Sequence, residues 1–124
     1  MITPVRASLL YIASPFTHPD PVVSHGRFVD VCRATAYLID QGWLAYSPIT
    51  HTVPLGEYGS MKTTWKDWES YDTRFLTQCH GLALLKLNGW ERSVGVQAEL
   101  THATQLRLQL YSIDPKTFEV SLGI

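Results

Sequence analysis

The stretch Gly81-Leu82-Ala83-Leu84-Leu85-Lys86-Leu87 is the most apolar in the chain, and it decides the fold class. An apolar run of this length predicts a strand covered on both faces, as in a parallel sheet that lies between helices. The segments on either side, residues 64–79 and 93–108, each carry an apolar stripe at helical spacing. The centre of the chain therefore predicts the order helix, strand, helix.

The same alternation extends toward both ends of the chain. Asp20-Pro21 predicts the start of a helix that ends before Gly42, because an oxygen-bearing cap precedes a proline at the first helical position. Further short apolar runs predict strands at residues 9–13, 43–49 and 110–113. This order predicts one three-layer, Rossmann/flavodoxin-like α/β domain over residues 1–124, with a mainly parallel sheet of about 4–5 strands.

Two segments lack a periodic pattern. Residues 50–63 are predicted to form a long loop, a candidate lid or binding loop, since they contain Pro54, Gly56 and Gly59. The tail after Pro115 predicts no defined element. Ligands of such sheets bind beyond the carboxyl ends of the strands, where residues 14–20, 47–51 and 88–93 are expected.

The composition favours a small-molecule partner. Ten Lys and Arg against eleven Asp and Glu give a formal charge of −1, which provides no basic field for polymeric DNA or RNA. No apolar run is long enough for a membrane span, and the first residues do not resemble a signal peptide. Cys32 and Cys79 lack metal-ligand spacing, so we expect buried thiols in a reduced, cytoplasmic protein without a metal.

Two carboxylates occupy unexpected positions. Asp72 lies within the apolar stripe of its helix, and Glu99 lies between Val96 and Ala103 on the inward face of the next helix. A buried carboxylate costs several kcal/mol unless it is paired, hydrogen-bonded or protonated. Each could make a structural hydrogen bond to a loop amide or to an arginine such as Arg74 or Arg92. Alternatively, the two could form the acid–base pair of an active site.

The start of the last helix is a candidate anion site. In Ser93-Val94-Gly95-Val96, free amides and the positive end of the helix dipole favour a phosphate, and Gly95 allows close approach. Arg92 adds positive charge. Glu99 lies six residues after Ser93, about 9 Å along the helix axis at 1.5 Å per residue. The alternative is that Ser93 is a helix cap and binds no ligand.

Two further residues have open roles. Tyr11 lies in the middle of the first strand, where it is either a core aromatic residue or a partner whose hydroxyl reaches Glu99. His51 falls in the predicted loop at the ligand end of the sheet, where it either binds substrate or is solvated.

Several of these segments together resemble the nucleoside 2-deoxyribosyltransferase superfamily. Tyr11-Ile12-Ala13-Ser14-Pro15-Phe16 is similar to the family's first strand, and Asp72 and Ser93-x-Gly95-x-x-x-Glu99 are similar to its carboxylate and nucleophile segments. The similarity covers residues 9–103. It implies a substrate site at Ser14, Pro15 and Phe16, with Ser14 where the family has glycine. It also implies that Glu99 is the nucleophile, that Asp72 protonates the leaving base and that Tyr11 orients Glu99.

Ser93 narrows the implied reaction. The nucleoside transferases have an aspartate near this position, whereas relatives that hydrolyse 2′-deoxynucleoside 5′-monophosphates have a serine, which suits a phosphate. The resemblance thus implies a homo-oligomeric N-glycosidase that hydrolyses a (deoxy)nucleoside 5′-monophosphate to free base and sugar phosphate. We expect no cofactor. The alternatives are a deoxyribosyltransferase, a glycohydrolase of larger nucleotides such as NAD, and a non-catalytic nucleotide sensor.

Overall fold

The computed structural model describes residues 2–5 and 7–124. Within them the elements are, in chain order, β1 (Leu9–Ala13), α1 (Pro21–Asp40), β2 (Leu44–Tyr46), α2 (Pro48–Tyr58), α3 (Trp65–Thr77), β3 (Gly81–Leu85), the short 3-10 turn Trp90–Arg92, α4 (Val94–Gln105), β4 (Gln109–Ile113) and β5 (Val120–Leu122).

The strands form a five-stranded sheet in the order β2-β1-β3-β4-β5. The first four strands are parallel and β5 is antiparallel to β4, so the predicted three-layer α/β fold is confirmed. The chain passes from β1 outward to β2 and then returns to the other side of β1 at β3. This reversal between β1 and β3 creates the switch point at which sheets of this order bind ligands.

Alternation along β1 determines which layer each side chain enters. Leu10 and Ile12 pack with Val31 and Leu38 of α1, in the core on one face of the sheet. Tyr11 and Ala13 point to the opposite face, into the core that includes residues of α3 and α4. The side chain of Tyr11 is consequently directed at the two helices that carry the unusual carboxylates.

The predicted loop over residues 50–63 is wrong for most of its length, because α2 occupies Pro48–Tyr58. Ser47 caps this helix by accepting a hydrogen bond from Thr50 N, and Pro48 takes a first-turn position where no amide is needed. The inward positions include Thr52, which is buried although polar, so the helix carries a weak apolar stripe.

Other boundaries differ from the predictions in ways that local chemistry explains. β2 is three residues long, not the predicted 43–49, because Ser47-Pro48 begins α2. The tail after Pro115 forms β5, which pairs along β4 and buries Val120. None of the helices in the described residues is long and apolar enough to cross a membrane.

Candidate active site

Tyr11 and Glu99 form the centre of the candidate site. The hydroxyl of Tyr11 donates a hydrogen bond to Glu99 Oε2, and both side chains are buried. Glu99 lies on α4 between Val96 and Ala103, both fully buried, so the inward direction expected from the helical spacing is confirmed. Tyr11 is therefore a buried core residue and also the hydrogen-bond partner of Glu99.

Asp72 approaches the same region from α3. Its side chain is buried, and within the described residues its Oδ1 atom has no hydrogen-bond partner. Neither Arg74 nor Arg92 forms an ion pair with Asp72 or Glu99 in that part of the chain, so the arginine-paired alternative is not what the structure has. A buried carboxylate oxygen without a partner is uncommon in folded proteins, and it points to a role outside stability.

Burial determines the protonation of this pair. Loss of solvation raises the pKa of Asp72 to about 7. It also raises the pKa of Glu99 to about 8, where the hydrogen bond from Tyr11 acts in the opposite direction and the charge of Asp72 adds to the rise. Each charge makes the other less favourable, so the two groups titrate together and hold one proton near neutral pH. The hydrogen bond from Tyr11 favours the ionised form of Glu99, and the two pKa values are close enough that the shared proton is available to either carboxyl group.

Two buried hydroxyl groups in this region, those of Ser14 and Tyr46, lack hydrogen-bond partners within the described residues. Burial raises the pKa of Tyr46 well above its usual range, and the charge of Asp72 is the next cause. Ser14 was predicted as a site residue, whereas Tyr46 was not. Tyr46 lies in the short apolar run of β2, where a tyrosine is usually a core residue, so the sequence did not indicate a hydroxyl without a partner there.

The rest of the predicted segment after β1 lies where the strand ends. Pro15 is buried and Phe16 is half-buried, directly after the buried Ser14. These residues follow the carboxyl end of β1, which is the edge expected for ligand contact.

Ser93 caps α4, since its Oγ accepts a hydrogen bond from Val96 N. Gly95 differs from the expectation that it opens space for a ligand. A Cβ at this residue would lie 3.4 Å from Trp65 Cε3, so the close approach that Gly95 allows is used by the Trp65 ring of α3. The amides at the start of α4 remain the group that can receive an anion.

His51 lies on a helix and not on the predicted loop, because α2 occupies Pro48–Tyr58. Its Nε2 atom is 2.9 Å from the hydroxyl of Tyr71, and its ring stacks on the Tyr71 ring. The His51 side chain is exposed. It belongs to an aromatic cluster that also contains Tyr46, Trp68 and Phe75. Tyr46 connects this cluster to Tyr11, with ring centroids 6.0 Å apart.

A cleft of about 480 Å³ opens beside the start of α4. Its walls come from the segment after β1, the first turns of α1 and the segment after β3, and they include Thr17, His18, Arg27, Asn88, Gly89, Arg92 and Ser93. Glu99 and Asp72 are not among the lining residues. The cleft thus adjoins the predicted anion site, while the two carboxylates are buried and do not line it.

Arg27 lines this cleft and was not indicated by the sequence. Its Nη1 and Nη2 atoms donate hydrogen bonds of 2.9 Å to the carbonyl oxygens of Thr17 and Asn88, which joins the segments after β1 and β3.

As for metals, the described residues contain no group of three or more histidine, cysteine or acidic side chains placed to hold an ion.

Substitution of Asp72 is expected to stabilise the protein at alkaline pH. The folded-state pKa of about 7 lies above the ordinary value near 3.9, so ionising Asp72 costs stability as pH rises between these values. We expect Asp72→Asn to raise Tm by roughly 5 °C or more at pH 8 and by much less at pH 4. Thermal melts at both pH values test this, with Glu69→Gln on the same helix as control. An equal shift at the two pH values would contradict it.

A family model described as a domain of unknown function (DUF1937) matches residues 8–113. The matched range contains β1 with Tyr11, α3 with Asp72 and α4 with Glu99. No curated protein matches the chain.

Proposed function

The chain belongs to the family described as a domain of unknown function (DUF1937), and from its site we propose that it hydrolyses the N-glycosidic bond of a nucleoside 5′-phosphate, with the 5′-monophosphate as the smallest substrate. One observation carries the proposal: the buried Glu99 accepts a hydrogen bond from Tyr11 and shares its surroundings with the buried, incompletely bonded Asp72. Two carboxyl groups with opposite protonation are what glycosidic cleavage requires.

In the first step Glu99 is the nucleophile. A carboxylate oxygen of Glu99 forms a bond to the anomeric carbon of the sugar as the bond from that carbon to the base nitrogen breaks. The electron pair of the broken bond goes to the base nitrogen. The hydrogen bond from Tyr11 holds the Glu99 carboxylate in one orientation and favours its ionised form.

Asp72 supplies the proton that the departing base needs. With a pKa of about 7, Asp72 is about half protonated at neutral pH and is able to release its proton to the base. In the second step water attacks the anomeric carbon, the bond to Glu99 breaks, and the proton of the water returns to Asp72. The products are free base and sugar 5-phosphate.

The start of α4 supports a phosphorylated substrate. Ser93 and the first amides of α4 lie at the edge of the cleft, and Arg92 is the preceding residue. A phosphate at this helix end would be one to two turns from Glu99 along the same helix, the separation expected between the 5′-phosphate and the anomeric carbon. Because Glu99 and Asp72 are covered, substrate binding requires movement of the side chains over them.

Removal of the Tyr11 hydroxyl is expected to change the pH profile. In Tyr11→Phe the ionised form of Glu99 loses its hydrogen bond, so its pKa rises and the acidic limb of the activity profile moves to higher pH. We expect kcat at pH 7 to fall by about 10- to 100-fold. Tyr37→Phe is the matched control, since Tyr37 packs on Phe118 on the other face of the sheet. A uniform loss at all pH values would contradict the pKa effect.

A substrate panel tests the function. The protein is incubated with nucleosides, their 5′-monophosphates and NAD, with and without a second base, and free base is measured by chromatography. Base from phosphorylated nucleosides in water supports the hydrolase. Exchange of bases on free nucleosides would show a deoxyribosyltransferase, and release of nicotinamide alone would show an NAD-type glycohydrolase. Thermal stabilisation by a nucleotide without base release would show a sensor.

Two accompanying properties belong to the same proposal. A cytoplasmic location is supported by the two free thiols, Cys32 and Cys79, which suit a reducing compartment. Assembly as a homodimer follows from the resemblance to the deoxyribosyltransferases, and it stays a prediction.

A further inference from the structure

Two arginines from different segments of the cleft wall converge on one point. A Cβ at Gly89 would lie 2.7 Å from Arg27 Nη2 and 3.8 Å from Arg92 Nη2, so both guanidinium groups approach this glycine. Gly89 has a φ of +91°, a conformation that glycine adopts without strain. Arg27 belongs to α1 and Arg92 to the turn after β3. The two cations are thus brought together by the fold and not by neighbouring positions in the sequence.

No carboxylate neutralises this pair within residues 2–5 and 7–124. The one ion pair of that part of the chain joins Lys66 and Glu69, and Asp30 is the single acidic residue of the cleft wall. Burial and the charge of Arg92 both lower the pKa of Arg27, although an arginine remains charged at neutral pH. Two like charges held together without a counterion favour binding of an anion.

The geometry of Arg27 suits a phosphoryl group. Two of its donors are fixed on the carbonyl oxygens of Thr17 and Asn88, which holds the planar fork in place and leaves other N–H groups available. Arg92 is exposed and forms no side-chain hydrogen bond within the described residues. Ser93 lies in the wall of the same cleft and caps α4. The arginine pair is therefore contiguous with the proposed binding position of the 5′-phosphate.

We infer that Arg27 and Arg92 bind a second phosphoryl group of the substrate, so that the preferred nucleotide carries a pyrophosphate rather than a single phosphate. The inference rests on the proposed function, because it extends the phosphate position at Ser93. The cleft volume of about 480 Å³ is within the range of sites that hold ligands larger than one phosphate. A nucleoside 5′-diphosphate and a dinucleotide both carry this group.

Binding of inorganic anions tests the inference independently of base release. Calorimetry with phosphate and pyrophosphate on the wild-type protein is expected to give at least a tenfold lower Kd for pyrophosphate. Arg27→Met and Arg92→Met are each expected to weaken pyrophosphate binding by about tenfold or more, since each removes charged hydrogen bonds. Arg27→Met should affect phosphate less. Arg33→Met, an exposed arginine of α1, is the matched control.

The outcomes separate the two proposals. Equal Kd values for phosphate and pyrophosphate, or unchanged pyrophosphate binding in Arg92→Met, would overturn the inference even if base is released. Arg92→Met retains all the hydrogen bonds of Arg27, so it tests the pair even if Arg27→Met fails to fold. Absence of base release with tight pyrophosphate binding would instead contradict the proposed hydrolysis. Comparison of base release from nucleoside diphosphates and from NAD then distinguishes the two sources of pyrophosphate.

Discussion

Glu99→Gln is expected to lower kcat for base release by about 10³-fold or more and to leave nucleotide binding nearly unchanged. The amide has the size of the carboxylate and can still accept the hydrogen bond from Tyr11, but it cannot form the bond to the anomeric carbon. Single-turnover base release and the Kd for a nucleotide, measured on the same preparation, separate catalysis from binding.

The control for this variant is Glu91→Gln. Glu91 is exposed in the turn before α4, and its substitution removes a carboxylate from the same region without touching the buried pair. Its activity should equal that of the wild-type protein. Retention of more than a tenth of the wild-type kcat in Glu99→Gln would exclude Glu99 as the nucleophile.

Asp72→Asn is expected to reduce kcat by about 10² to 10⁴-fold for natural nucleotides, because their bases are poor leaving groups without a proton. The loss should be much smaller for an analogue whose leaving group needs no protonation, such as a sugar 5-phosphate with a nitrophenolate at the anomeric carbon. Steady-state rates on both substrates give the comparison, and Glu69→Gln on the same helix is the control.

The basic limb of the pH profile supplies a second readout for Asp72. With its pKa raised to about 7, loss of the proton should reduce wild-type activity above that pH. In Asp72→Asn this limb should disappear, because the amide does not titrate. Equal losses on the two substrates, or an unchanged basic limb, would show that Asp72 has a structural role instead.

The inward positions of Asp72 and Glu99 could be predicted from the sequence. Helical spacing places Asp72 and Glu99 on inward faces, and burial of both is confirmed. Parallel strands also bring the ends of β1 and β3 to one edge, so the positions of Ser14 and Ser93 near that edge follow from topology.

What the sequence did not indicate depends on contacts between distant segments. Arg27 reaches Asn88 across 61 positions, and no periodicity of α1 distinguishes this arginine from a solvated one. Helix α2 was missed because its buried positions include Thr52, so apolar spacing underestimates it. β5 forms by pairing with β4, a long-range choice that local propensity does not determine.

We propose that this chain cleaves an N-glycosidic bond at Glu99. The most direct measurement incubates the wild-type protein and Glu99→Gln with a nucleoside 5′-monophosphate and its 5′-diphosphate, and quantifies free base and sugar phosphate over time. We expect equal molar amounts of both products with the wild-type protein and none above the spontaneous rate with Glu99→Gln. Base release at the same rate by both proteins, or by neither, would contradict it.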